Sequence, residues 1–215
     1  MKSLVIAALA LVATPAIHAA VIIDTTTLNG SFENGTGSGA GSTIDSWVPF
    51  GGGSIQRISN TATHGTYSAV VGGTSVNLAV NTGYILAAND TLTLSFQAKG
   101  MLNSDDGDNI AWRLFYTSDN TLTGTATTIA GADYSLPGGA AGSYTTFNLT
   151  TPGLTDPGAV GKTLFLSFGA GTGLATDEFA RVDNVNLFSN VPEPTAALLF
   201  VPAMAGCLLR RNRRK

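Results

Sequence analysis

Cysteine and histidine are almost missing from this 215-residue sequence, which has one cysteine, Cys207, and two histidines, His18 and His64. Cys207 falls in an apolar stretch near the C-terminus and His18 in an apolar leader, so the body between them keeps His64 and no thiol. That excludes disulfide bracing, thiolate catalysis and zinc sites built on cysteine or on several histidines. A body of roughly 170 residues must then be held by its own apolar core, and it is long enough to build one.

Charge is scarce too, at 12% Asp, Glu, Lys and Arg, and it is unevenly spread. Five of the eleven Lys and Arg residues lie in the last six positions, Arg210-Arg211-Asn212-Arg213-Arg214-Lys215. Without these and Lys2, the basic residues are Arg57, Lys99, Arg113, Lys162 and Arg181 against fourteen acidic ones, a net of −9 where the whole chain has −3. Nucleic acid is excluded as a partner on this ground, because its binding relies on clustered Lys and Arg at the phosphates. Cations and neutral glycans stay compatible with such a surface.

Long apolar runs occur only at the two ends. Met1-Lys2 precede an unbroken apolar run from Leu4 to Ala13, and Thr14-Pro15-Ala16-Ile17-His18-Ala19-Ala20 then supplies a helix breaker and small residues. That order of charged, apolar and small residues is the one expected of a secretory signal peptide over residues 1–20, with cleavage after Ala19 or Ala20. At the other end Thr195 to Leu209 is apolar apart from Thr195, Pro202 and Gly206. As a helix it would be about 22 Å long, shorter than the roughly 30 Å hydrocarbon core. It inserts only if Arg210 and Arg211 snorkel to the interface, with the basic end cytoplasmic and the body outside.

Val191-Pro192-Glu193-Pro194 stands immediately before that segment. The tripeptide Pro192, Glu193, Pro194, the apolar span and the terminal arginines, behind an N-terminal leader, together resemble the PEP-CTERM sorting signal over residues 190–215. The resemblance implies processing by an exosortase of Gram-negative bacteria and export through the secretion machinery. It also implies transient inner-membrane anchoring through residues 195–209, and a place at the cell surface or in an exopolysaccharide or biofilm matrix. A hydrophobic tail that holds a substrate at the membrane until an enzyme acts follows the logic of lipid-anchor signals.

The body, residues 21–189, has no amphipathic helix. It is rich in Gly, Thr, Ser and Asn, and short stretches alternate apolar with polar residues. Leu92, Leu94, Phe96 and Ala98 alternate with Thr91, Thr93, Ser95 and Gln97, the period of a strand with one buried face. Residues 54–58, 67–71, 110–116, 144–149, 164–168 and 182–188 read the same way, separated by turn clusters such as Gly51-Gly52-Gly53 and Asp156-Pro157-Gly158. Many short strands with Gly-rich turns predict an all-β fold, an antiparallel β-sandwich, with a signal helix before it and a short transmembrane helix after it.

Asn29-Gly30-Ser31-Phe32-Glu33, Trp47, His64-Gly65-Thr66-Tyr67-Ser68, Leu94 to Gly100 and Arg181-Val182-Asp183-Asn184-Val185 follow in an order and spacing similar to the galactose-binding-like jelly rolls that include many carbohydrate-binding modules. The resemblance implies that the first and last strands meet and that Glu33 and Asp183 contribute to a structural calcium site. Calcium needs six to eight oxygens, so two carboxylates begin such a site without completing it. The cluster Asp105-Asp106-Gly107-Asp108-Asn109 is a weaker calcium candidate, since it lacks the spacing of a helix-loop-helix calcium loop.

Sugar binding calls for exposed aromatic faces. Of the two Trp and five Tyr residues, Tyr134, flanked by Gly131 and Pro137-Gly138, and Trp47 are the candidates, while Trp112 shares a strand face with Ile110, Leu114 and Tyr116 and is expected in the core. Catalysis has little to rest on: no nucleophile elbow surrounds any serine, His64 sits beside Gly65 as a turn residue would, and no pair of carboxylates stands out for glycoside hydrolysis. The expected function is that of an exported, non-catalytic surface or matrix protein. A carbohydrate-binding module for a polysaccharide is the alternative, and a glycoside hydrolase or other hydrolase ranks third.

Overall fold

A computed structural model describes residues 17–51, 54–60, 62–73, 76–100, 109–136, 143–172 and 178–192. The expected leader helix, the acidic cluster from Asp105 to Asp108, Glu193 and Pro194 of the sorting motif, and the apolar tail lie outside these residues. Among the described residues no helix is long and apolar enough to cross a membrane.

The described chain is antiparallel β-structure. Its strands are β1 (Ile17–Ile23), β2 (Trp47–Pro49), β3 (Gln56–Ile58), β4 (Ser68–Gly72), β5 (Leu78–Ile85), β6 (Leu92–Gly100), β7 (Asn109–Thr117), β8 (Ala126–Ser135), β9 (Thr145–Thr150), β10 (Thr163–Ala170) and β11 (Phe179–Pro192). One sheet has the order β3-β4-β11-β6-β9, with β1 also paired to β11, and the other the order β2-β5-β10-β7-β8. This is the expected β-sandwich, with the first and last strands side by side. β1 includes Ile17 to Ala20, the last residues of the expected leader, and β11 reaches Pro192, the first residue of the expected sorting motif.

The alternation in β6 works as its period requires: Leu92, Leu94, Phe96 and Ala98 are buried, while Thr93, Ser95 and Gln97 face outward. Between the sheets, Phe96 stacks on Phe147 and meets Phe168 edge-on at 4.9 Å, and Trp47 packs between Phe168 and Phe32. Such buried rings contribute about 1.5–3 kcal/mol each by area and more through their pairing. Gly30 ties the start of the domain to its end. Its N–H donates to the Asp24 carbonyl, its carbonyl accepts from the Val185 N–H, and a Cβ there would sit 2.2 Å from the Val185 carbonyl oxygen. No other residue fits so close an approach.

Four strands escape the alternation pattern. β1 straddles the end of the expected apolar leader, and β2 is three residues ending in Pro49. β5 buries Leu78, Ala79 and Val80 and then opens to solvent through Asn81-Thr82-Gly83. β8 is an edge strand with few buried side chains, so it carries no apolar stripe.

At the far end of β5 the Tyr84 hydroxyl donates to Asp90 Oδ2 (2.9 Å) and lies 2.7 Å from Ser189 Oγ, linking β5 to β11. Burial, with Asp90 adding and the Ser189 bond opposing, pushes the phenol from 10.0 up to about 12. Because the folded value lies above the unfolded one, the stabilisation is complete below the unfolded value and is lost as pH rises toward the folded one. Urea midpoints of the wild type are therefore expected to fall between pH 10 and pH 12, and those of Tyr84→Phe to fall less. Identical alkaline limbs in the two proteins would refute this.

Candidate functional site

The two expected calcium residues are brought to one place, a loop. Glu33 Oε1 accepts the Thr66 N–H (2.8 Å) and the Tyr67 N–H (2.6 Å). Asp183, fully buried on β11, accepts at Oδ2 from the Thr63 N–H (2.6 Å), the Thr63 hydroxyl (3.0 Å) and the His64 N–H (3.0 Å), and at Oδ1 from the Asn184 N–H (2.7 Å). Burial pushes the Asp183 carboxyl above its ordinary value, against these bonds, which favour its charged form. His64 itself is exposed and enters this network through its backbone.

Next to them Arg57, 4% exposed, holds the segment that carries Glu33. Nη1 donates to the carbonyls of Glu33 (2.7 Å) and Phe32 (3.4 Å), Nη2 to that of Gly35 (2.7 Å) and Nε to that of Gly37 (2.9 Å). The guanidinium also lies 4.0 Å from the centre of the Tyr67 ring. Glu33 Oε1 and both Asp183 oxygens thus accept hydrogen bonds, Glu33 Oε2 accepts none among the described residues, and the Arg57 guanidinium stands among the carbonyls of the same segment. The arrangement braces two loops, with a guanidinium and two carboxylates organising backbone.

Of the two expected sugar platforms, Trp47 is packed inside and Tyr134 is half-buried. Trp47 is 3% exposed, with Nε1 donating to the Leu28 carbonyl (3.0 Å) and its ring between Phe32 and Phe168. Tyr134 is on strand β8 rather than on a loop. It is half-buried, stacks nearly parallel on Trp112 (6.2 Å between centres) and packs against Phe147 (4.7 Å), closing the edge between the sheets. Its flanking glycine and proline suggested a loop, whereas the pairing of Ile110 with Tyr134 carries the strand through it. Trp112 is buried as its strand face predicts.

An open groove lies elsewhere, on the outer face of the β2-β5-β10-β7-β8 sheet. It encloses about 190 Å³ and is lined by Phe50, Gly51, Asn77, Ala111, Arg113, Ser167, Phe168, Gly169 and Ala170. The register explains its shape. Ala79, Ser167, Arg113 and Gly131 form one row across β5, β10, β7 and β8, and Gly169 and Ala111 pair in the next, so small side chains leave a hollow in the sheet surface.

Phe50 lines one side of the groove and rests on an aromatic stack behind it. Phe165 and Phe115, opposite each other on β10 and β7, stack at 5.4 Å, and Phe50 leaves the end of β2 to cover Phe115 at 5.3 Å. Phe115 and Phe165 are buried although they face away from the core; Phe50 is the half-exposed ring of the three. Asn77 Oδ1 accepts the Ala170 N–H (3.3 Å), which leaves its amide hydrogens as donors at the rim. Arg113 is exposed. Its stem runs along β8, where a Cβ on residue 131 would sit 3.1 Å from Arg113 Cγ, so Gly131 makes room for it.

Sequence reasoning missed this face, though a signal was present. Residues 164–166 of β10 are apolar at consecutive positions, which a strand with one solvated face would not carry, and Phe115 stands in the polar phase of β7.

No protein-family model matches the chain, and no curated protein matches its sequence significantly. Solved structures do match its fold. The CBM22-1 xylan-binding domain of Paenibacillus barcinonensis Xyn10C superposes with a TM-score of 0.54 at 13% identity, covering 81% of this chain and 97% of that domain. The CBM22-1-GH10 modules of Clostridium thermocellum Xyn10B, complexed with xylohexaose, give 0.51 at 17% identity over 78% of this chain and 28% of theirs. A cyclase from Fischerella sp. TAU gives 0.55 at 15% identity over 83% of this chain and all of its own. The fold is therefore the jelly roll of carbohydrate-binding modules, which cyclases share.

Proposed function

We propose that the body is a non-catalytic carbohydrate-binding module, carried by an exported protein, and that it holds a stretch of polysaccharide in the groove on the outer face of the β2-β5-β10-β7-β8 sheet. The groove is the observation that carries this reading. It combines the half-exposed Phe50 ring, over which a sugar can lie, with polar groups at Asn77, Ser167 and Arg113 for its hydroxyls, the mixture expected of a ligand site. Two of the solved structures with this fold are described by xylan binding or by a bound xylohexaose. Among the described residues, those that line the groove include no carboxylate or imidazole that could move a proton, which favours binding over hydrolysis or cyclisation.

The ends of the chain supply the setting. A leader over 1–20 and the Pro192-Glu193-Pro194 motif with its apolar tail and basic terminus support export, exosortase processing and delivery to the cell surface or an exopolysaccharide matrix.

Binding is tested by affinity electrophoresis of residues 19–190 in gels containing xylan, other neutral β-glucans or acidic polysaccharides, followed by calorimetry with the retarding polymer. Phe50→Ala is expected to weaken binding by about tenfold or more, the scale of a lost aromatic anchor, and to lower the melting temperature only modestly, since a half-exposed ring is lost and Phe115 is partly uncovered. Retardation by none of the polymers, or unaltered binding by Phe50→Ala, would overturn the reading.

A further inference from the structure

We infer that the groove selects a mostly uncharged polysaccharide that carries occasional uronic-acid carboxylates, and that Arg113 reads the carboxylate; this rests on the groove being the sugar site. The argument starts from a shortage. The body has five basic residues, and four are committed to the fold. Arg57 holds four backbone carbonyls. Lys99 and Arg181 face each other across β6 and β11, 6% and 8% exposed, with Lys99 Nζ 5.4 Å from the Tyr144 ring centre and Arg181 donating to the Asn60 carbonyl. Lys162 Nζ donates to the Ser118 carbonyl (2.8 Å).

Arg113 differs from all four. It is exposed, and its guanidinium has neither a hydrogen bond nor an ion pair among the described residues. It also stands in the groove, in the row between Ser167 and Gly131. A guanidinium is a planar fork that matches a carboxylate with two parallel hydrogen bonds, and a neutral hydroxyl cannot use its charge. Three of the five fixed cations are buried, Lys162 is tied to a surface carbonyl, and the fifth lies where a ligand would.

The neighbours of Arg113 limit the ligand further. Small uncharged residues surround it, Ala111, Ser167 and Gly169, with the Phe50 ring on the far bank. One cation in a protein body of net −8, five basic residues against thirteen acidic ones in residues 21–189, cannot hold a dense polyanion, whose charges the remaining field repels. One carboxylate among neutral sugars suits it: the uncharged residues of the chain lie on the apolar bank and an isolated uronate meets the fork.

The experiment compares glucuronoxylan with the same polymer after chemical reduction of its carboxyl groups, so that the backbone stays constant, using wild type, Arg113→Met and Arg113→Lys. Melting temperatures equal to wild type confirm that the variants are folded, as expected of an exposed side chain without partners. Wild type should bind native glucuronoxylan about tenfold or more tightly than the reduced polymer. Arg113→Met should bind both polymers as wild type binds the reduced one, and Arg113→Lys should keep part of the difference. Equal wild-type binding to the two polymers, or a preference that survives in Arg113→Met, would overturn the role of Arg113 while the groove reading stands. Binding to neither polymer would overturn this inference and weigh against the groove as well.

Discussion

Replacing Arg57 with methionine is expected to lower the unfolding free energy of the domain by about 3 kcal/mol or more, because several buried or half-buried carbonyls lose their donor at once. For a domain of this size that corresponds to a fall in melting temperature of roughly 6–12 °C. Methionine keeps much of the side-chain volume, so the effect reports the hydrogen bonds and the contact over the Tyr67 ring rather than a cavity. Arg57→Lys should recover a minor part, since an ammonium cannot span the carbonyls of Phe32, Glu33, Gly35 and Gly37 with one planar fork. The same arrangement predicts that excess chelator leaves the wild-type melting temperature unchanged. A fall with chelator that calcium reverses would show that a metal, and not the guanidinium, organises the loop.

The second large effect concerns the C-terminus and is close to all-or-none. In cells that encode an exosortase, the recovered wild-type protein is expected to end near Pro194 by intact mass. A variant carrying Pro192→Ala, Glu193→Ala and Pro194→Ala is expected to keep Lys215 and remain in the membrane fraction. β11 extends to Pro192, so cleavage near Pro194 would fall after the last strand and leave the sandwich whole. If both proteins retained Lys215, the apolar segment would be a lasting anchor and the sorting reading would fail.

Much of the architecture is legible in the sequence where one physical rule acts alone. Leu92, Leu94, Phe96 and Ala98 alternate with polar residues because one face of β6 is buried and the other is not. The absence of an amphipathic helical period leaves sheets as the only way to bury those faces. β2, β5 and β8 were not legible for local reasons: a proline at Pro49, a half-exposed second half from Asn81 onward, and an edge position that exposes most of its residues.

The candidate site was legible only in its ingredients. Glu33 and Asp183 were recognisable as meeting, because the order of motifs brings the first and last strands together. That their oxygens would be taken by the N–H groups of Thr63, His64, Thr66 and Tyr67 depends on how a distant loop folds over them. Aromatic identity singled out Trp47 and Tyr134 for sugar binding, but identity does not encode burial. Trp47 is 3% exposed because Phe32 and Phe168 close around it, and the ring that lines the groove is instead Phe50.

By itself, then, the sequence determined the lack of thiol and multi-histidine chemistry in the body and the layered β-architecture, since composition and local period act through short-range rules, and it carries the end motifs on which the proposed export and sorting rest. Tertiary structure decided which cations are committed to the fold, which aromatics are sealed in the core, and that Ala111, Arg113, Ser167 and Gly169 share one hollow. These residues lie on β7 and β10, far apart in sequence, and become neighbours only through the register of the sheet. That register is set by the packing of the whole inner face, which no local window of the chain contains.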